Sequence, residues 1–305
     1  MNLMKNMLLM LVLLVSFEIK AQGNNVNDNP AYLLYNDAGE RVSYSEMIAE
    51  LTKADVVFVG EYHNSSLCHW LEYEIFAALA DHHNNKVNLG MEMMEIDTQI
   101  KIDEYMADLI SENRYLLETY LWPNYKMDYA PIVKEAKKRG VRLVSTNVPR
   151  RYAGALASKG IEVLRTFPEA SQQYYIDVLP LVEAIKESNP MFVGAMAAMM
   201  GGKKPEMTPE HEAKMLRMTQ AQALKDAVMA HSIAQNMEYP FIQINGAFHS
   251  DFKKGTAKFL AEMKPKAKIA NITTVYQENV STLEKKNTGR ADFYIVLPND
   301  THKTY

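Results

Sequence analysis

The side chains able to do chemistry stand directly behind short apolar runs. Val56-Val57-Phe58-Val59 is followed by Gly60-Glu61-Tyr62-His63-Asn64, with His69 a turn or two into the next segment. Val87 to Met91 leads to Glu92, Val141 to Ser145 leads to Asn147 and Arg150-Arg151, and Phe241 to Ile244 leads to Asn245-Gly246-Ala247-Phe248-His249. Glu61, His63, Glu92 and His249 form a set able to hold a divalent ion, because imidazoles with carboxylates suit a transition metal that keeps positions open for water. On such an ion, Glu61 or Glu92 would act as the general base of a metal-dependent hydrolase. The same ends suit a second chemistry: an imidazole ligates haem iron, and Arg150 or Arg151 pairs with propionates. A serine hydrolase fits less well. There is no G-x-S-x-G elbow, and Ser65, Ser66 and Ser250 read as helix caps.

For these groups to meet, the runs must be parallel strands, since open α/β sheets bind ligands beyond the carboxyl ends of their strands. The spacing supports this. The apolar runs alternate with helical patterns such as Leu67, Trp70, Leu71, Ile75 and Leu79, and two more runs follow at Ile269 to Val275 and Phe293 to Leu297. The expected fold is α/β, a mostly parallel sheet flanked by helices. A small hairpin at Tyr32 to Tyr35 and Arg41 to Tyr44 precedes it, and Asp97 is the expected N-cap of a helix running to Ile110. Pro131 opens a helix ending at Gly140. Between the third and fourth runs, about 152–236, no strand is expected. That stretch reads as a helical insertion interrupted by Pro168, Pro180, Pro190 and the 201–209 region.

Composition bounds the rest. The chain has 305 residues, 48% apolar and 23% charged, with one Cys, which excludes disordered, fibrous and disulfide-scaffold classes. The formal charge of −4 supplies no basic field for nucleic acid. Met1 to Lys5, an apolar run to Phe17 and the small residue Ala21 read as a secretory signal peptide over 1–21. The protein is thus expected to be exported, periplasmic or outer-membrane associated, and no lipobox cysteine follows the run. Cys68 is expected to be buried. Nine of the sixteen methionines beyond the leader fall between Met191 and Met237, the composition of an adaptable apolar surface. Tyr115, Tyr120, Trp122, Tyr125 and Tyr129 are read as packing anchors rather than as a stack on a flat ligand. Lys264, Lys266 and Lys268 are read as a solvated face, and His82 and His83 as a helix end.

GEYHNSSLCHW, LGMEMMEIDTQIKIDEYM, NVPRRY, LKDAVMAHSIA and INGAFHSDFKKGTAKFL, in this order, resemble the ChaN-like haem-binding uptake proteins. The resemblance runs from about Asp55 to Pro298. It implies an α/β core with a helical subdomain, haem as cofactor, a role in haem and iron acquisition, a possible homodimer and outer-membrane uptake partners. The family is similar in fold to Tiki metalloproteases and erythromycin esterases, and His63, Glu61, Glu92 and His249 match the shared motif. Haem ligation in the family is associated with a tyrosine in the helical part. Here Glu210 to Gln235 contains no Tyr and offers His211, Met215, Met218 and His231 instead. With His63, His69, Asn147, Arg150 and His249, these are the residues expected to contact haem.

Overall fold

A computed structural model describes residues 30–190, 193–194 and 208–304. The expected leader at 1–21 and the methionines from 191 to 207 lie outside the described residues. The order of elements is β1 (Leu33–Asn36), β2 (Arg41–Val42), α1 (Tyr44–Leu51), β3 (Val56–Glu61), α2 (Ser66–His82), β4 (Asn88–Glu95), α3 (Gln99–Met106) and α4 (Glu112–Glu118). A π-turn at Tyr125–Tyr129 leads into α5 (Ala130–Arg139), then β5 (Arg142–Asn147), α6 (Arg150–Lys159), α7 (Glu169–Gln172) and α8 (Leu179–Glu183). The long α9 (Pro209–Gln235), β6 (Phe241–Gly246), α10 (Gly255–Met263), β7 (Ile269–Gln277) and β8 (Phe293–Pro298) complete the chain.

The eight strands form one sheet in the order β2-β1-β8-β7-β3-β6-β4-β5. The six strands from β8 to β5 run parallel, and the β1–β2 hairpin adds antiparallel to β8 at one edge. Every residue of β3 is buried because both faces are covered. Val57 and Val59 pack with Leu71 and Ile75 of α2 and Ile132 of α5. Val56 and Phe58 pack on the other face with Ala230 and Ile233 of α9 and Leu260 of α10. Each such aliphatic side chain taken from water contributes about 1.5–3 kcal/mol, so a strand buried on two faces is a run of Val, Ile and Phe rather than an alternating pattern.

Between β5 and β6 the described residues are helical. The insertion has its own core, where Tyr152, Leu156, Leu164, Tyr175 and Leu179 meet Leu224 and Val228 of α9. Its last helix also closes the β5-to-β6 crossover, since the end of α9 lies on the sheet.

Two local expectations differ from the structure. The helix expected from Asp97 to Ile110 ends at Met106, where Asp108 takes a left-handed φ of 58°. Asp97 sits in the preceding 3-10 turn and, instead of capping, pairs with Arg151 at 2.6 Å. Strand β4 runs past Met91 to Glu95, with a register shift between Met91 and Glu95 against β5. Glu92 therefore belongs to the strand itself, in a stretch whose bulge re-aims side chains. Cys68 is 1% exposed, as expected. Tyr115, Tyr125 and Tyr129 are buried anchors, but Tyr120 is half exposed beneath the Arg150 guanidinium. Among the described residues, no helix is long and apolar enough to cross a membrane.

Candidate functional site

The sheet reverses direction around β3. The chain moves outward from β3 to β4 and β5, then returns to place β6 between β3 and β4, and β7 on the other side. Such a switch point opens a crevice at the carboxyl ends of its strands. Glu61 ends β3, Glu92 lies in β4, and Gly246 ends β6 in register with Glu61. The 3-10 turn Ala247–His249 then sets His249 over the same edge.

Two buried clusters occupy this edge. In the first, His249 bridges two carboxylates, with Nδ1 2.6 Å from Asp226 Oδ1 and Nε2 3.1 Å from Glu92 Oε1. Glu92 Oε2 accepts the Gly246 amide at 2.8 Å, and Asp226 Oδ1 also accepts the Thr256 hydroxyl at 2.8 Å. The Gln222 side-chain amide lies 3.0 Å from His249 Nε2. Burial alone would raise the Glu92 carboxyl. The His249 charge and hydrogen bond, His63 and the Gly246 amide outweigh it and hold the carboxyl at about 2. Burial alone would lower His249, but Glu92 and Asp226 raise it to about 10. The trio is thus an imidazolium between two carboxylates, with Glu92 further held by the Gly246 amide and Asp226 by the Thr256 hydroxyl.

The second cluster joins β3 to α2. Ser65 caps α2 by accepting the Cys68 amide, which fixes the first turns and puts His69 and Glu72 on one face. His69 Nδ1 lies 3.2 Å from Glu72 Oε2 and 3.1 Å from Glu61 Oε2. Glu61 Oε1 accepts the Tyr129 hydroxyl at 2.8 Å and forms a short contact with His63 Nδ1. Asn124 donates at 3.0 Å to the His63 carbonyl and at 2.7 Å to Asp128, which itself lies 3.6 Å from His69 Nε2. Burial and the adjacent Glu61 charge push the Glu72 carboxyl well above its usual range. For Glu61, burial is outweighed by hydrogen bonds from His63 and His69, so its carboxyl falls below that range.

His63 stands between the clusters. Its side chain is 34% exposed, and its ring packs edge-on to Trp122 at 4.8 Å. A Cβ at Gly246 would come within 2.9 Å of the His63 ring and 3.5 Å of Glu92 Oε2, so this glycine leaves the room in which the imidazole sits.

The structure divides the expected residues. Glu61, His63, His69, Glu92 and His249 reach the same edge. Glu61, His63, Glu92 and His249 nevertheless form two pairs rather than one ion-sized cage: Glu92 and His249 are bound up with Gly246 and Asp226. Among the described residues, the ligand atoms that converge within 4.8 Å of one another belong to Glu61, His69 and Glu72. Asn147 ends β5 with a buried Oδ1 that accepts no hydrogen bond. Arg150, expected to meet an anion, donates to Glu95 at 2.6 Å and stacks on Tyr120. His211, Met215, Met218 and His231 all lie on α9. His231 stands 3.7 Å from Asp177.

Sequence reasoning missed Glu72, Asp226, Asn124 and Asp128. The His69-to-Glu72 spacing was a usable helical signal. Asp226 offered only a lone acid within a buried stretch of α9, and its partner is distant in sequence.

The family described as "Haem-binding uptake, Tiki superfamily, ChaN" matches residues 47–260. A search of curated proteins gives no match. Among solved structures, the chain is similar to one described as cofacial haem binding to ChaN of Campylobacter jejuni. It has 18% identity and a TM-score of 0.66, and covers 88% of this chain and 98% of that one. It is also similar to an erythromycin esterase at 12% identity and a TM-score of 0.45, covering 87% of this chain and 82% of that one.

Proposed function

The chain belongs to the ChaN family of haem-binding uptake proteins in the Tiki superfamily, and on that premise we propose that it is an exported haem-binding protein of haem and iron acquisition. The observation that carries the reading is the family match, which spans the whole of α9.

On α9, His211, Met215, Met218 and Gln222 recur at i, i+4, i+7 and i+11, the spacing of one helix face. Thr208 caps the helix by accepting the His211 amide, which anchors the first turn of that face. His211 and Met218 are half-buried and Met215 is buried, so the face offers one imidazole beside soft, adaptable thioethers. At about 100° per residue, His231 falls on the opposite side of the helix. His211 is therefore the axial-ligand candidate, with Met215 and Met218 against the macrocycle. Cofacial haem binding in the Campylobacter jejuni relative is in keeping with a homodimer in which two haems meet face to face. The leader at 1–21 fits delivery to the periplasm or outer membrane, where an uptake partner would hand over the cofactor. The same α9 face reaches the strand-end clusters where the Gln222 side-chain amide lies 3.0 Å from His249 Nε2.

Titrating the protein with haemin tests the proposal. A shifted Soret band saturating at stoichiometric haem is expected; a free-haemin spectrum at stoichiometric protein would sink it. His211→Ala should weaken binding at least tenfold and change the spectrum, whereas His231→Ala should leave both within about twofold.

A further inference from the structure

The cluster on α2 holds more acceptors than donors. Glu61, His69 and Glu72 are 3%, 5% and 2% exposed, and the His69 imidazole lies between the two carboxylates while His63 meets the outer oxygen of Glu61. Glu72 Oε1 is buried and accepts no hydrogen bond, and the buried Glu61 Oε2 faces only the His69 Nδ1 that Glu72 Oε2 also faces. Lone pairs of carboxylates shut away from water without a donor are costly, and natural structures rarely leave them so. Something that accepts those lone pairs would remove the cost.

We propose that this cluster is a binding site for a first-row divalent metal ion, held by Glu61, His69 Nδ1 and Glu72. His69 Nδ1 lies 3.1 Å from Glu61 Oε2 and 3.2 Å from Glu72 Oε2. Ligand atoms that each sit about 2.0–2.2 Å from one ion are separated by about 3.0–3.5 Å, so the donors already stand at the edge length of a coordination shell. The outer contacts agree. His69 Nε2 is 3.2 Å from the His63 carbonyl oxygen, an acceptor that would fix the tautomer leaving Nδ1 for the ion. The Tyr129 hydroxyl occupies Glu61 Oε1 and so turns Oε2 toward the cluster. Two carboxylates balance a divalent charge. The imidazole favours zinc or ferrous iron over magnesium or calcium, and the two carboxylates also suit manganese. Three protein ligands leave room for water.

The site shares only Glu61 with the set expected from the sequence motifs. Glu92 and His249 belong to the other cluster, where their lone pairs and protons are already matched. Nothing in the proposal depends on haem, so the two readings fail separately.

Chelator-treated protein, titrated with zinc chloride by calorimetry and assayed by elemental analysis after desalting, tests it. One zinc per chain is expected, with an upward shift of the melting temperature. Glu72→Gln and His69→Gln should each lower the affinity at least tenfold and abolish the thermal shift. Glu92→Gln, outside the cluster, should keep the ion within about threefold. Circular dichroism of each variant separates lost binding from lost folding. If folded wild-type protein holds no stoichiometric zinc or manganese, the cluster is only a buried imidazolium between carboxylates and the proposal is wrong. It is equally overturned if Glu92→Gln removes the ion and Glu72→Gln does not.

Discussion

The two carboxylate–imidazole clusters at the sheet edge have nearly the same composition and opposite states of satisfaction. Around His249, both ring nitrogens face carboxylate oxygens, Glu92 Oε2 accepts the Gly246 amide, and Asp226 Oδ1 also accepts the Thr256 hydroxyl. Around His69, one ring nitrogen is shared by two carboxylates, and the buried Glu72 Oε1 has no donor. The difference lies in the supporting elements. The His249 cluster draws on β4, β6, α9 and α10, whose backbone and hydroxyl groups supply donors. The His69 cluster draws on the end of β3, one face of α2 and the Tyr125–Tyr129 turn, where the Tyr129 hydroxyl serves Glu61 but Glu72 and Asp128 add further acids. The first arrangement is closed and acts as a clasp between the insertion helix and the sheet, whereas the second has coordination capacity left over.

The largest expected effect breaks the clasp. Glu92→Gln removes a buried ionic partner from His249 and should cost about 3–5 kcal/mol in denaturant unfolding. Its pH profile sharpens the point. A carboxyl held at about 2 contributes stability that is complete above its ordinary 4.5 and is lost as pH falls toward 2. An imidazole raised to about 10 contributes stability that is complete below its ordinary 6.5 and is lost as pH rises toward 10. The gap between wild type and Glu92→Gln should therefore be widest between about pH 4.5 and 6.5 and narrow on both sides; a flat gap from pH 3 to 9 would refute the assignment.

An intermediate effect is expected at the boundary between the clusters. Gly246→Ala puts a methyl group where the His63 ring sits, at an overpacking cost of about 1–3 kcal/mol. The His63 imidazole resonances should shift while those of His249 stay nearly in place. The smallest effect belongs to Glu72→Gln in chelator-treated protein. The Glu72 carboxyl is held toward its neutral form, so the amide should cost under about 1 kcal/mol. A loss as large as that of Glu92→Gln would erase the distinction between the clusters.

Much of the fold was legible because it is local physics. Continuous Val, Ile and Phe runs mark strands buried on two faces, and Pro131 and Gly140 mark the ends of α5, where Gly140 takes a φ of 66°. The placing of Glu61, His63 and His249 behind strands followed from the same pattern. The end of α3 did not, since a left-handed Asp108 is a choice among near-equal local conformations. The course of Glu92 within β4 was also hidden, because the bulge is set by pairing with β5.

By itself, the sequence determined which residue types stand at the strand ends, the parallel character of the sheet and the family to which the chain belongs. Only the tertiary structure decided their partners. Asp226 reaches His249 from a helix 23 residues earlier in the chain, and the Glu92 carboxylate is met by the Gly246 amide 154 residues away. Hydrogen-bond satisfaction is a property of three-dimensional neighbours. Two clusters written with the same letters can therefore differ in whether their acceptors are filled, and only the folded chain tells a clasp from a site.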